Sequence, residues 1–492
     1  MRVAVAGLLA LVIALGITVA VPNPNYLLLI AGVLGVVGIG TLVTTARLEV
    51  TVPFLALYLG LLGGPVKLGL GAHELGSAMR DVLIVAVSLG ALLRLVVRKE
   101  PVRLPPMFAW VLAFVALVVV EAFNPKTLGL LKVLGGFRQQ LEWVPFFFFG
   151  YLIMRSKGRF RRLFLILGVL ALANGAVATY QTRLSPPQLA SWGPGYRELV
   201  FGGAEGLNAR VFASEGEAHV RPPGLGTDAG FGGGVGVLAL PGAVALVAMT
   251  RGRRRWMALI LCLGALVAIA TSLGRIQVVG AVIALTAFAL LSAGSGRRMT
   301  RPLAALLGIL ALTIPLGAVF VSAVGSSTFS RYESISPGKL GSSGDTKQGT
   351  LFHIPAQAEA APFGVGLATV GAVGGIGGKV SNPLEGKAVS ADTQYNFVLD
   401  ELGVFGLILW VALSLNVIAL AARGLRRIAD SELRVYLSAA FASFIAFTII
   451  GVSGPTMGSA AFGPYFWFAV GIAAYWFAGP GRRRAGIVRS MA

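Results

Sequence analysis

The fold is decided by three consecutive stretches, AGFGGGVGVLALPGAVALVAM (229–249), TRGRRR (250–255) and WMALILCLGALVAIATS (256–272). Two apolar runs are separated by a short connection that carries four arginines. A run of about 20 apolar residues can cross the hydrocarbon core as a helix, and connections rich in arginine are typical of the cytoplasmic side. The stretch therefore predicts two helices that cross a membrane in opposite directions.

The same pattern continues through the whole chain of 492 residues, of which 56% are hydrophobic and 12% charged. A soluble chain of this length would carry about 25% charged residues, and a disordered chain would be poor in apolar residues. The runs are too long and continuous for an outer-membrane barrel, which needs short alternating segments. They lie near residues 3–21, 26–45, 81–97, 105–123, 163–180, 229–249, 256–272, 275–293, 302–324, 396–422, 435–453 and 459–479, with shorter or mixed runs near 50–64 and 141–154.

These runs predict an all-α, polytopic transmembrane bundle of about fourteen spans, with residues 1–492 as a single integral membrane domain. The first run, 3–21, could serve as a signal peptide, but it lacks an Ala-x-Ala-like cleavage site and is followed at once by another apolar run. We interpret it as an uncleaved span. Glycine is frequent, with 66 residues, and we expect runs such as GFGGGVGVLALPG to allow close packing of helices rather than to bind phosphate.

The distribution of charge predicts the topology. The chain has 41 basic and 20 acidic residues, a net charge of +21. When the N-terminus is placed in the cytoplasm and the spans alternate, 26 of the basic residues fall on the inner side and the outer side is nearly neutral. Both termini are then cytoplasmic, and the basic runs are topology signals beside anionic lipid rather than a nucleic-acid site. The inner groups are Arg2, Arg47, Arg94–Arg103, Arg155–Arg162, Arg251–Arg255, Arg297–Arg301, Arg423–Arg434 and Arg482–Arg489.

Two predicted extracytoplasmic loops are long, at 181–228 and 325–395, and loops of this length usually have a function or are disordered. The inner connections are too short for a nucleotide-binding domain, and no P-loop pattern occurs. The single cysteine, Cys262, excludes a disulfide framework and a thiolate zinc site. His73, His219 and His353 are isolated from one another, so the sequence predicts no metal site and no cofactor.

Arginines on the predicted outer side need an explanation other than topology. Arg275 lies in a turn between two apolar runs, and Arg221 lies in HVRPPGLGTDAG just before another run. Each could simply extend to the interface, or Arg221 could be a loop residue without a role. Alternatively, the two guanidinium groups provide hydrogen-bond donors for phosphate oxygens at the lipid–water boundary.

Carboxylates provide the second half of a candidate site. Asp392 and Thr393 precede an apolar run and could cap the N-terminus of its helix, or Asp392 could act as a general base. Helical spacing places Asp392, Asn396 and Asp400 on one face. An acid within a spanning helix is expected to have an arginine partner. His353, in the second long loop, is a further candidate for the base.

Four regions of the chain, covering roughly residues 130–475, resemble the O-antigen ligase and polymerase superfamily of integral membrane glycosyltransferases, in their order, spacing and topological side. They are GGFRQQLEWVPFFFFGYLI (135–153), RPPGLGTDAGFGGGVGVLALPGAVAL (221–246), TSLGRIQVVGAVIAL (271–285), and the pair APFGVGLATVG (361–371) and DTQYNFVLDELGVFG (392–406). The last pair is similar to the P-x-G-x-G and H-N-x9-G-x-x-G segments of that family.

Two departures qualify the resemblance. Counting back from Gly403, the H-N pair of the ligases falls on Asp392 and Thr393, so the histidine associated with ligase catalysis is absent. That favours the polymerase or exopolysaccharide branch. Ser272 and Arg275 are separated by two residues, where the common form of the motif has none.

The resemblance implies a metal-independent glycosyltransferase that polymerises oligosaccharide repeat units carried on a polyprenyl diphosphate. It would work at the outer face of a bacterial cytoplasmic membrane. Its partners would be the lipid-linked donor, a glycan acceptor, the lipid bilayer and a chain-length regulator protein. The implied catalytic residues are Asp392, Arg221 and Arg275, and the implied substrate-binding residues are Arg138, Arg210, Asp228, Arg331, His353, Tyr395 and Asn396.

Two alternatives remain open at this stage. A ligase or oligosaccharyltransferase would move the glycan to a lipid or protein acceptor instead of extending a chain. A transporter or flippase would move the lipid-linked glycan without changing a bond, and would be expected to show inverted repeats and broken helices at mid-membrane, which are not evident in the sequence.

Overall fold

The computed structural model describes residues 47–69, 73–97, 104–201, 211–214, 217–228, 230–293, 349–374 and 393–484. The predicted spans at 3–21, 26–45 and 302–324 lie outside these residues, as do both chain termini.

The helices are labelled in chain order. The first group is α1 (Leu48–Leu57, continued by π-helical turns Tyr58–Leu62 and Pro65–Gly69), α2 (His73–Val97), α3 (Phe108–Glu121), α4 (Leu130–Leu141), α5 (Pro145–Ile153), α6 (Lys157–Gln181), α7 (Pro186–Ala190) and α8 (Pro194–Phe201). After a β-hairpin follow α9 (Phe231–Met249), α10 (Arg253–Thr271), α11 (Arg275–Ala293), α12 (Gly349–Phe352), α13 (Ile354–Ala360), α14 (Gln394–Leu425), α15 (Ser431–Ile450), α16 (Gly463–Trp476) and α17 (Gly481–Arg484).

Six of these helices are long and apolar enough to cross a membrane: α6, α9, α10, α11, α14, and α15 with its extension to Ser453. They confirm the predicted runs near 163–180, 229–249, 256–272, 275–293, 396–422 and 435–453. The protein is mostly helical, and these helices indicate that it is embedded in a membrane. The number of about fourteen spans and the cytoplasmic position of both termini stay predictions.

One small element departs from an all-α structure. Strands β1 (Val211–Ser214) and β2 (Glu217–Val220) form an antiparallel hairpin in which Val211 pairs with Val220. The hairpin lies within the predicted first long loop. The short helices α7 and α8 belong to the same loop, so this segment has regular structure of its own.

Helix α9 is at the centre of the described bundle, with 94% of its apolar window buried. Its glycines face neighbouring helices closely: a Cβ atom at Gly236 would lie 2.7 Å from the carbonyl oxygen of Ala265 on α10. Small residues of this kind let helix backbones approach where lipid provides no hydrophobic driving force. The expectation that the glycine-rich run allows close helix packing is therefore confirmed.

The helices alternate in direction. Gly232 and Gly242 of α9 lie beside Asn174 and Phe164 of α6, so these two helices are antiparallel. At the start of α6, Arg161 pairs with Glu432 at 2.9 Å. The helix starts of α6 and α15 therefore lie at the same end of the molecule.

We call this end the basic end, because it collects the basic connections predicted to be cytoplasmic. The indole Nε1 of Trp476 donates to the carbonyl oxygen of Met154 at 2.7 Å, which brings the C-terminal arginines of the described chain to the same place. The basic residues of the end lie within 155–162, 251–255, 423–434 and 482–484. Which side of a membrane it faces stays a prediction.

Helix α14 is broken at Gly403, whose backbone angles are φ 63° and ψ −167°. The break receives the segment 362–366: the Val404 N–H donates to the Pro362 carbonyl at 2.9 Å, and the Val365 N–H to the Asp400 carbonyl at 2.6 Å. The P-x-G-x-G and G-x-x-G stretches noted in the sequence therefore contact each other directly. A side chain at residue 403 would overlap with the Pro362 carbonyl oxygen.

We predict that Gly403→Ala destabilises the protein by about 1–3 kcal/mol, because its backbone conformation is essentially restricted to glycine. The measurement is the midpoint of thermal unfolding in detergent micelles. Gly158→Ala is the matched control, since Gly158 lies in a helix and has open space where a Cβ would go. Equal midpoints for the two variants would contradict the prediction.

Candidate functional site

The loop that carries Arg221, described for residues 221–228 and Gly230, is fixed by two buried amides of α6. Gln181 exchanges two hydrogen bonds with Gly224: its Nε2 donates to the Gly224 carbonyl at 3.1 Å, and the Gly224 N–H donates to its Oε1 at 2.8 Å. The Leu225 N–H donates to Oδ1 of Asn174 at 2.9 Å. Both side chains are completely buried. We call this segment the Arg221 loop.

The Arg221 guanidinium and the side chain of Gln277 meet at Gly230. A Cβ atom at Gly230, where φ is 87°, would lie 3.7 Å from Arg221 Nη2 and 3.0 Å from Gln277 Nε2. Gln277 lies in the first turn of α11, and the Nε atom of Arg221 is buried. Arg221 is thereby brought to the start of the helix that begins with Arg275.

The turn before α11 explains the unusual spacing between Ser272 and Arg275. Leu273 is completely buried and has a positive φ of 50°, which reverses the chain between α10 and α11. The Ser272 hydroxyl donates to the Ile269 carbonyl at 2.7 Å and accepts from the Gly274 N–H at 3.3 Å. The two additional residues therefore form the turn itself, and Arg275 becomes the first residue of α11.

This arrangement can attract an anion. The start of a helix has free N–H groups and a positive electrostatic potential, which favour phosphate oxygens. Arg275 is half-buried at that start, and Arg221 is half-buried beside it. A guanidinium adds a fork of donors that suits phosphate geometry.

A second group of charged residues surrounds Arg138. Arg138 Nε pairs with Asp81 Oδ2 at 2.7 Å, and Arg80 Nη2 donates to Glu142 Oε2 at 2.8 Å. The Arg80 guanidinium also lies over the Trp143 ring, 5.2 Å from its centroid.

The segment 451–463 between α15 and α16 connects these groups. Oε1 of Gln394, at the start of α14, accepts from the N–H groups of Thr456 and Met457 at 2.8 and 2.7 Å. At Gly234, near the start of α9, a Cβ would lie 3.1 Å from the ring of Phe462. At Gly463 it would lie 2.7 Å from Nε1 of Trp143, the ring beneath Arg80. The starts of α9 and α14 and the Arg80 group therefore surround one turn, which we call the 451–463 turn.

Glu401 fixes the loop that docks on the Gly403 break. Its Oε1 accepts from Gln139 Nε2 at 2.8 Å and from the backbone N–H groups of Thr369 and Val370 at 3.1 and 3.3 Å. Its Oε2 accepts from Gln140 Nε2 at 2.7 Å. The carboxylate is completely buried, and it joins α14, α4 and the 366–373 loop.

The expectation of an arginine partner for the acids of α14 is wrong. Asp400 accepts a hydrogen bond from the side-chain amide of Gln357, and Glu401 is held by amides and backbone N–H groups. The nearby cation is Lys132, which is buried and donates from Nζ to the Ala368 carbonyl at 2.9 Å. A buried carboxylate needs several donors, and here side-chain amides and backbone N–H groups supply them.

Of the remaining predicted site residues, some are buried, some are exposed and three lie outside the described residues. Thr393 caps α14 by accepting from the Asn396 N–H at 3.1 Å, so the capping interpretation is confirmed for this residue. The Tyr395 hydroxyl donates to the Thr448 carbonyl at 3.0 Å, and Asn396 is buried. Asp228 is exposed in the Arg221 loop, and His353 is exposed before α13. Arg210, Arg331 and Asp392 lie outside the described residues.

Several side chains at the end opposite the basic end were not identified from the sequence. They are polar or charged residues within or beside apolar runs: Lys67, Arg80, Asp81, Gln139, Gln140, Glu142, Asn174, Gln181, Gln277 and Glu401, the last of which anchors the 366–373 loop. The signal that could have found the amides is their position at the end of an apolar run opposite the basic connections. No pattern of spacing indicates their partners.

Comparison of the chain with protein-family models, curated proteins and solved structures finds no match. The resemblance therefore depends on the motifs quoted above.

We predict that Glu401→Gln loosens the 361–374 loop, because the new NH₂ group must face a donor that now binds a carboxylate oxygen. One buried unsatisfied donor costs about 1–3 kcal/mol. The measurement is the rate of chymotrypsin cleavage at Phe363, which is 63% exposed in that loop.

The control for this measurement is Glu359→Gln, at an exposed glutamate of α13. Cleavage at Phe352, which is also exposed, provides an internal reference within each digest. If Glu401→Gln and Glu359→Gln are cleaved at Phe363 at the same rate, Glu401 does not anchor the loop.

Proposed function

We propose that the protein is a glycosyltransferase that joins oligosaccharide units carried on a polyprenyl diphosphate. The observation that carries the proposal is the meeting of Arg221 with the start of α11, where Arg275 begins the helix. Both arginines lie at the end of the bundle opposite the basic end. They therefore serve a purpose other than the topology signal that the basic end provides.

The proposed reaction needs stabilisation of a leaving group rather than a cofactor. The oxygen of an acceptor hydroxyl attacks the anomeric carbon of the donor, and the bond between that carbon and the diphosphate oxygen breaks. The electron pair of that bond leaves on the diphosphate, where negative charge increases. Arg221, Arg275 and the N–H groups at the start of α11 are suited to stabilise this charge.

The hydroxyl proton must go to a base as the new glycosidic bond forms, and we assign this role to the carboxylate of Asp392. Asp392 directly precedes Thr393, the N-cap of α14. The neighbouring Gln394 binds the 451–463 turn, which also borders the start of α9 behind the Arg221 loop. The described neighbours of Asp392 in the chain, Thr393 and Gln394, support this assignment.

The location and orientation form part of the same proposal. We place the protein in a bacterial cytoplasmic membrane, with the basic end in the cytoplasm and the Arg221 loop on the outer side. The donor and the acceptor would then meet at the outer leaflet, where a growing polysaccharide is handled.

Replacing either arginine with alanine should lower glycan transfer by about 100-fold or more, as expected when one donor to a developing oxyanion is removed. The assay follows product formation in proteoliposomes that contain a polyprenyl-diphosphate-linked repeat unit. Arg183→Ala is the control, since Arg183 is exposed at the same end and outside the proposed site. Normal product yield in both Arg221→Ala and Arg275→Ala would remove the arginine pair from the mechanism.

Asp392→Asn should abolish transfer while leaving the thermal midpoint close to that of the unchanged protein, because the amide cannot accept the hydroxyl proton. Transfer rate and unfolding midpoint are measured on the same preparation. An active Asp392→Asn protein would move the base to another group, with His353 the first to test.

The products of the same assay separate the alternatives. Chain growth identifies a polymerase, transfer to a different acceptor identifies a ligase, and movement of the donor without a change in bonds identifies a transporter.

A further inference from the structure

Lys67 lies in the turn Pro65–Gly69 after α1, at the same end as the Arg221 loop. The connection between the two is direct: the Gly64 N–H donates to the Leu225 carbonyl at 3.1 Å. A Cβ at Gly63 would also contact Thr227 Cγ2, at 3.9 Å. The turn that carries Lys67 is therefore held against the middle of the Arg221 loop.

The other side of this turn is fixed by α8. A Cβ at Gly195 would lie 2.7 Å from the Cα of Leu68 and 3.1 Å from the carbonyl oxygen of Lys67. Leu68 is buried in a small apolar cluster with Leu189, Tyr196 and Val200. The backbone of Lys67 is thus fixed by packing, and only its side chain can change conformation.

The Lys67 ammonium is half-buried. No hydrogen bond or ion pair reaches it from any residue that the structure describes. Arg80 and Arg138 are its cationic neighbours, and each of them is already paired with a carboxylate, Glu142 and Asp81. A half-buried ammonium without a hydrogen-bond acceptor is costly unless a ligand supplies one.

The charges around Lys67 also favour a ligand that supplies an acceptor. Burial lowers the pKa of the Lys67 ammonium, the charges of Arg80 and Arg138 lower it further, and the carboxylates Asp228 and Glu198 oppose the shift. Both of these carboxylates are exposed, so water screens their effect. Arg138 is 34% exposed and contacts Asp81 through Nε, on the side of the cluster open to solvent.

We propose that Lys67 and Arg138 form a second phosphate-binding subsite, at the side of the Arg221 loop away from Arg275. The ligand chemistry is a phosphate oxygen, from a diphosphate or from a lipid headgroup. The assignment to the diphosphate rests on the proposed function. In that assignment the Arg221 loop lies between two cationic groups, and the donor diphosphate contacts both.

The test is binding of inorganic pyrophosphate to the full chain in lipid nanodiscs, measured by calorimetry. Lys67→Gln should weaken binding about tenfold, the loss expected for one charge-assisted hydrogen bond. Lys67→Arg should retain most of the affinity. The matched control is Lys126→Gln, at an exposed lysine of the same end, which should bind as the unchanged protein does.

Asp228→Asn is a second variant whose expected result is a gain in affinity. A misfolded protein would lose affinity, so a gain cannot be a folding artefact. Removing this carboxylate from the neighbourhood of Lys67 should tighten pyrophosphate binding about twofold or more. Pyrophosphate that binds Lys67→Gln as tightly as the unchanged protein, or that fails to bind the unchanged protein, overturns the subsite.

The lipid of the nanodisc separates the two sources of phosphate. Equal pyrophosphate affinity in phosphatidylcholine and phosphatidylglycerol discs supports a diphosphate site. Loss of pyrophosphate binding in phosphatidylglycerol alone identifies a headgroup site and overturns the assignment to the donor.

The glycan-transfer assay separates this inference from the proposed function. If Lys67→Gln transfers glycan with an unchanged donor KM, the subsite is contradicted and the proposed function is not. If pyrophosphate binding depends on Lys67 but the protein has no transfer activity, the proposed function is contradicted and the subsite is not.

Discussion

The candidate site depends on the side-chain amide of Asn174. Its Nδ2 donates to the carbonyl oxygens of Gly60 and Leu170, and its Oδ1 accepts from the Leu225 N–H, so one buried group joins α1, α6 and the Arg221 loop. A buried amide without partners would cost several kcal/mol, whereas here both of its ends are satisfied. Because the loop cannot slide along α6 without breaking these bonds, the backbone of Arg221 has a defined position.

The two ends of the bundle use charge in different ways. At the basic end, Lys157, Arg159 and Arg161 form partly exposed ion pairs with a few acids. Exposed pairs of this kind contribute little to stability, and the excess positive charge suits anionic lipid. At the opposite end, Arg80 and Arg138 pair with Glu142 and Asp81, whereas the buried Glu401 is bound by side-chain amides and backbone N–H groups.

Glu401 shows why this difference matters. A completely buried carboxylate has to be surrounded by donors, and the donors come from α4 and from the backbone of the 366–373 loop. The loop therefore has to close around the acid for the acid to be tolerated at all. Its other end docks on the Gly403 break, so the loop is held at two points against the start of α14.

The sequence by itself determined the membrane character, the six long apolar helices, the common end of the basic connections, the close packing at the glycines of α9 and the Thr393 cap. Each of these follows from local hydropathy, charge or turn chemistry, which a linear pattern records. The tertiary structure alone decided that Arg221 meets the start of α11, that Glu401 binds Gln139 and Gln140 instead of an arginine, and that Lys67 lies against the Arg221 loop. Those pairings depend on the rotation and depth of each helix relative to its neighbours. Packing between residues far apart in the chain sets both, and hydropathy carries no record of it.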